Sequence, residues 1–176
     1  MLITAVVAAI VYLPMLIEAH RAASNERLQR ARGGVEPPDD VFKVMQVAYP
    51  GAFLMMLVDG AMGGTPEPAV VAAGLALFAV SKAFKWWAIL TLGPAWTFRV
   101  IVVPGAPLIT RGPYRFVRHP NYVGVVGELV AVALMTGSRI GGPMAVVGFG
   151  LLMLKRIAVE QRALTQTKTT YNAETR

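Results

Sequence analysis

The sequence contains no cysteine, and its 176 residues include only two histidines, His20 and His119. The first absence excludes a disulfide framework and any thiolate-based metal site. The second argues against a histidine-clustered metal centre, because the two lie far apart in the chain. No metal site is expected. Charge is also scarce: 15% of residues are Asp, Glu, Lys or Arg, against roughly 25% in an average soluble domain. Apolar residues make up 55%, and the mean hydropathy is +0.54. Such a composition excludes disorder. It also exceeds what one soluble domain of this length can bury, so water is not the only solvent. There is no phosphate-binding P-loop pattern, no internal repeat and no low-complexity stretch.

Acidic residues are fewer than basic ones, 10 against 17, for a net charge of +7 and a pI near 10.1. In a soluble protein this balance points to nucleic acid. In an apolar chain it reads as loops facing the anionic cytoplasmic leaflet, with membrane lipid and not nucleic acid as the partner. The distribution of charge supports that reading. Apolar runs predict spans at 1–17, 43–58, 69–92, 121–136 and 140–158. About 20 apolar residues cross a bilayer. The first run lacks the basic flank of a signal peptide and reads as a retained span. Pro14 within it is tolerable where neighbouring helices satisfy the freed carbonyl. Residues 18–40 read as a polar loop with one amphipathic turn, 59–68 as a Gly- and Pro-rich turn, and 160 onward as a polar tail.

With the N-terminus outside, every basic residue except Arg139, Lys82 and Lys85 falls on the cytosolic side, as the positive-inside rule requires. The expected fold is therefore all-α: a polytopic membrane protein of five transmembrane helices, with the last two forming a helical hairpin around Gly137-Ser138. Gly124, Gly127, Gly141, Gly142, Gly148 and Gly150 lie in or near that hairpin. They have no strand before them, so they read as close helix-packing positions rather than a dinucleotide fingerprint.

The segment 112–124, Gly-Pro-Tyr-Arg-Phe-Val-Arg-His-Pro-Asn-Tyr-Val-Gly, carries the chemistry. Pro120 suits a helix start, where its missing N–H costs nothing. Free backbone donors there favour an anionic or polar group. Arg118 and His119 add a forked donor and a ring that can donate or accept, and Tyr122 adds an aromatic face. The same residues also suit an interfacial belt that only anchors the helix. Glu128, two turns into the fourth span, is costly at that depth and a functional candidate by default. It is equally suited to pair with Arg99 or with a lysine of the third span. Trp96 and Arg99 stand where they would line an entrance for a substrate or anchor the chain at the interface.

The run Arg118-His119-Pro120-Asn121-Tyr122-Val123-Gly124 resembles the Arg-His-Pro-x-Tyr-x-Gly signature of the isoprenylcysteine carboxyl methyltransferase family. The upstream stretch from Trp86-Trp87 through Tyr122 is similar to that family's core. Arg156-Ile157-Ala158-Val159-Glu160 resembles its closing Arg-x-x-x-Glu-Glu element, although Gln161 stands at the second acidic position. The likeness covers about residues 82–164. Asn25-Glu26-Arg27 through Gly33-Gly34-Val35-Glu36 is similar to short bacterial members.

The resemblance implies an integral-membrane methyltransferase using S-adenosylmethionine, placed in a bacterial inner membrane with its site facing the cytosol. Residues 1–68 would form two spans and a cytosolic loop, and 69–176 the catalytic membrane domain. Carried over by position, Tyr114, Arg118, His119, Pro120, Tyr122, Gly124 and Glu160 would contact the cofactor. Glu128, Arg156 and Glu160 are the catalytic candidates, and Trp96 and Arg99 the acceptor-side ones. The donor carries its own activation, so the protein needs mainly to hold two reactants in line. The expected acceptor is a lipophilic small molecule, an alkylpyrone- or alkylresorcinol-like enol or phenol, with a prenylcysteine-like carboxylate as the other acceptor. Two other classes are a membrane NADPH-dependent sterol-type reductase, which carries a similar Arg-His-Pro-x-Tyr-x-Gly run, and a non-enzymatic small membrane protein.

Overall fold

The computed structural model describes residues 2–174, with side chains from 4 to 166. Met1, Arg176 and the Lys168 side chain, which figure in the expected first span and basic tail, lie outside the described residues. Five α-helices follow one another: α1 (Leu2–Ala31), α2 (Phe42–Gly63), α3 (Pro68–Leu92), α4 (Pro120–Thr136) and α5 (Gly141–Glu174). Two single 3-10 turns, Gly93–Ala95 and Gly112–Arg115, punctuate the long segment between α3 and α4. The described residues contain no strand beyond one antiparallel bridge, Val35 to Val102. Four of the helices are long and apolar enough to cross a bilayer, and α4 is a shorter apolar helix. At 17 residues, α4 rises about 26 Å, just under the thickness of a hydrocarbon core.

The interior is built where the five apolar helices meet. Val11, Phe53, Met56, Leu129, Val132, Met135, Phe149 and Met153 pack together there. Leu13, Leu16, Ile17, Val47, Leu54, Val80, Leu90, Val147 and Leu151 face outward. An apolar outer surface of this kind is stable in lipid and not in water, which accounts for the hydropathy of the chain. Pro14 and Pro50 sit inside α1 and α2, and the Tyr12 hydroxyl donates to the Pro50 carbonyl at 2.9 Å, joining the two helices.

Three elements run further than the sequence suggests. The polar stretch after residue 17 is not a loop with one turn, because α1 stays helical to Ala31. The reason is a second buried face: Glu18, Ala22, Asn25 and Gln29 recur at helical spacing and are all buried. Asn25 Nδ2 donates to the carbonyls of Gly93 (3.1 Å) and Trp96 (2.7 Å), and Gln29 Nε2 to that of Pro94 (2.7 Å). These amides bond the carbonyls of the turn that follows α3, where the Gly93 carbonyl also accepts from the Trp96 amide. Likewise α2 continues through Asp59 to Gly63. The Asp59 carboxylate then accepts from Ser138 Oγ and the Ile140 and Gly141 amides at 2.7–3.0 Å, capping the start of α5. The helix α5 itself passes the expected end at 158 and runs to Glu174.

The α4–α5 hairpin forms as expected, its turn set by Gly137 at φ +68°, a backbone region that glycine enters freely. The most extensive partner of α4, however, is α3. Gly124 is the closest seam: a Cβ there would lie 2.8 Å from Lys85 Cβ and 3.1 Å from the Ser81 carbonyl. The α2–α3 and α4–α5 turns meet at one end of the bundle. The 32–41 linker, the 93–119 segment and the cytosol-expected part of α5 gather at the other.

Candidate functional site

The second end of the bundle holds the candidate site. His119 precedes α4 and Pro120 begins it, and no side chain caps that helix start. Residues three apart share a helical face, so the His119 and Tyr122 rings stack with centroids 5.7 Å apart. On α5, Arg156 and Glu160 are four apart and face the same way. Val159 and Ala163 anchor that face against Val100 and Val102. Arg156 Nε donates to the Tyr122 hydroxyl at 2.9 Å. Glu160 Oε2 lies 3.9 Å from His119 Nδ1, within ion-pair range and too long for a hydrogen bond.

The structure therefore brings together His119, Pro120, Tyr122, Arg156 and Glu160 from the expected set. Tyr114 joins them from the 3-10 turn before α4. Its hydroxyl is pushed up in pKa, first by burial, then by the Glu160 carboxylate and by Tyr122. Arg118 is exposed at the rim. The cluster combines an aromatic face, the Arg156 guanidinium, a carboxylate and uncapped helix amides. Such a set suits a ligand that carries both charges and a flat ring.

Other expected residues stand elsewhere. Gly124 lies in the α3–α4 seam and acts there as a packing position. Trp96 is buried at 4% exposure against Ala22 and Phe98. Arg99 ion-pairs with Glu36 at 2.6 Å and Glu26 at 3.6 Å, and its guanidinium stacks over Phe42 at 4.4 Å. Both residues hold the 93–102 segment onto α1 and the 32–41 linker. Glu128 is enclosed in the middle of the bundle, where Lys82 and Lys85 approach it at 2.9 and 3.4 Å and the Tyr49 hydroxyl donates to it at 2.5 Å. Of the two readings left open for Glu128, its surroundings match the ion-pair partner, with third-span lysines and not with Arg99.

The residue that sequence reasoning missed is Asp40. Its Oδ1 accepts from Arg156 Nη1 at 3.2 Å and from the Phe42 amide at 3.0 Å, and its Oδ2 accepts from the Val100 amide at 2.8 Å. The only local signal is the Pro-Pro-Asp-Asp run before an apolar stretch, which reads as a helix start. Nothing in it points to residue 156.

A family model described as the isoprenylcysteine carboxyl methyltransferase (ICMT) family matches residues 73–166. The chain is also 25% identical over 159 residues to a Bacillus subtilis (strain 168) protein described as "Uncharacterized protein YpbQ", covering 90% of this chain and 94% of that one. A Haemophilus influenzae protein described as "Uncharacterized protein" is 19% identical over 142 residues, 80% of this chain and 83% of its own.

Proposed function

Because the chain belongs to the isoprenylcysteine carboxyl methyltransferase family, we propose that it is an S-adenosylmethionine-dependent methyltransferase acting on a lipophilic hydroxyl acceptor at the cytosolic rim of the membrane. The observation that carries the reading is the convergence of the His119–Tyr122 stack with Arg156 and Glu160 at the uncapped start of α4. The chain is an integral membrane protein, and its site lies at one end of the helix bundle. A water-borne donor and a lipid-borne acceptor can meet there.

The residues present fit such a donor. Asn121 Oδ1 is buried beside the His119–Pro120 corner and has no hydrogen-bond partner. A buried orphan acceptor of this kind favours an incoming donor group. The donor supplies a methyl group already activated on a sulfonium. Arg156 Nη2, which no described protein group engages, and Arg118 offer cations for a carboxylate. Glu160 offers an acceptor for an ammonium or ribose group, and the His119–Tyr122 stack offers an aromatic face. His119 Nδ1 and Glu160, 22% and 35% exposed, stand where either can take up the acceptor's proton and pass it to water. On the lipid side, Leu108 and Phe116 are 70% and 75% exposed, and the same segment carries Arg111, Arg115 and Arg118. This mixture suits an interface that a greasy phenol or enol crosses sideways.

Two measurements test the reading. Purified protein in detergent should bind S-adenosylhomocysteine in calorimetry and should move labelled methyl from S-adenosylmethionine into an alkylphenol or a lipid extract. Binding of NADPH in its place would favour the reductase class, and binding of neither would overturn the proposal. Because there is no native cysteine, orientation can be read from single-cysteine labelling. Arg139→Cys should react from outside the cell and Arg118→Cys only after permeabilisation.

A further inference from the structure

We propose that Asp40 is a positioning residue of the site, acting through Arg156, and that the site is therefore incomplete without the N-terminal third of the chain. This rests on the methyltransferase reading above. Asp40 lies outside the family-matched residues 73–166 and is 116 positions from Arg156. Both side chains are closed off from solvent, at 4% and 9% exposure.

Three elements converge on this one carboxylate. It fixes the first amide of α2 through Phe42, the pre-signature strand of chain through the Val100 amide, and α5 through Arg156. The carboxylate is acceptor-only, and all three donors point at it. The consequence for the guanidinium is specific. With Nη1 held by Asp40 and Nε donating to the Tyr122 hydroxyl, the plane of the fork is set at two corners. Its remaining nitrogen, Nη2, is left for a ligand. Because the Tyr122 hydroxyl accepts from Arg156, its own proton is free for another acceptor. Tyr122 in turn stacks on His119. Asp40 thus reaches the signature through one guanidinium. Within 73–166 Arg156 has no carboxylate partner of its own among the described residues.

The neighbouring Asp39 provides the contrast. Its carboxylate meets Arg162, and the two side chains are 50% and 63% exposed. That pair sits in water and is expected to count for little.

The test is a double-mutant cycle read by calorimetry with S-adenosylhomocysteine on the full-length protein, together with methyl-transfer kinetics. Asparagine has a single acceptor oxygen and no charge, so it cannot serve Val100, Phe42 and Arg156 together. Asp40→Asn is expected to weaken binding at least tenfold and to raise KM for the methyl donor more than it lowers kcat. Arg156→Gln should weaken binding at least as much. The double variant should bind no more weakly than Arg156→Gln alone, since Asp40 then has nothing left to position. Asp39→Asn should stay within twofold of the parent. If Asp40→Asn does not purify folded, Asp40→Glu, which keeps the charge, replaces it in the same cycle and should again lose its effect beside Arg156→Gln. Additive effects in the cycle, or full binding by the Asp40 variant, would reduce Asp40 to a structural cap and overturn the inference. Failure of the parent protein to bind the ligand would overturn the methyltransferase reading itself.

Discussion

Two clusters of charge lie about 9 Å apart along α4, the rise of the six residues between Tyr122 and Glu128. The inner one joins Glu18 of α1, Lys82 and Lys85 of α3, Glu128 of α4 and the Tyr49 hydroxyl of α2. It holds two carboxylates and two ammonium groups. Glu18, Lys85 and Glu128 are exposed by 3% or less. Glu128 Oε1 has no well-aligned hydrogen-bond donor, yet it lies 2.9 Å from Lys82 Nζ, so attraction between charges satisfies it. The outer cluster, His119, Tyr122, Arg156, Glu160 and Asp40, also joins two carboxylates and a tyrosine hydroxyl, but around a guanidinium and an imidazole and in a different state. The His119–Glu160 contact is stretched to 3.9 Å, one guanidinium nitrogen is spare, and two members are partly open to solvent. An ionisable group at membrane depth is a functional candidate by default. Here the deeper cluster is closed upon itself, and the shallower one keeps donors for something else.

The largest expected effect breaks the inner cluster. Lys85→Ala would leave Glu18 with only the partly exposed Lys82, and it would strip Glu128 of one of its two cations. Removing one partner from a buried pair costs about 3–5 kcal/mol. The unfolding midpoint in detergent should fall steeply, with methyl transfer lost only as folded protein is lost. If Lys85→Ala unfolded like the parent while activity vanished, the distinction between the two clusters would be wrong. The outer cluster should respond the opposite way. His119→Ala removes one ring of the stack and the partner of Glu160 but no buried ion pair. Methyl transfer should drop at least 100-fold, about 2.7 kcal/mol in the barrier, with the unfolding midpoint close to the parent's. Full activity in that variant would remove His119 from the site.

A smaller effect sharpens the boundary between the clusters. Gly124 belongs to the signature run, yet its α-carbon faces Lys85 and Ser81. Gly124→Ala forces α3 and α4 apart and should cost about 1–3 kcal/mol, as overpacking does. Cofactor affinity of the protein that remains folded should change little. A binding defect larger than the folding defect would return Gly124 to the ligand side.

How far the sequence showed all this depended on whether the buried residues were apolar. The hydrophobic runs located α2 to α5, and Pro120 and Gly137 marked where α4 starts and ends. The signature marked the outer cluster, because His119 and Tyr122 are close in sequence and share a helical face. The continuation of α1 was hidden because its buried face there is Glu18, Asn25 and Gln29, which hydropathy scores as loop. Their helical spacing was visible, but only the carbonyls of Gly93, Pro94 and Trp96 in the turn after α3 explain why amides are wanted there. Lysines in the third span offered Glu128 a partner, whereas Glu18 and Tyr49 lie in other helices and carried no local signal. The Asp40–Arg156 contact is a tertiary fact with no pattern at all.

The smallest expected effect concerns the clasp that holds the 93–102 segment to the 32–41 linker. Burial acts to raise the Glu36 carboxyl, but hydrogen bonds from Arg99 and Arg30 outweigh it and hold its pKa below the ordinary 4.5. A depressed carboxylate stabilises the fold above its unfolded-state pKa, and that contribution is lost as pH falls through the folded-state value. The clasp should therefore be indifferent to pH from 7 down to about 5 and loosen only below the ordinary carboxylate range. Comparing unfolding midpoints of the parent and Glu36→Gln across that range checks it. The gap between them should stay constant near neutrality and close in acid. No gap at neutral pH would mean that Arg99 is held by Glu26 and its Phe42 stack instead, and that the clasp does not depend on Glu36.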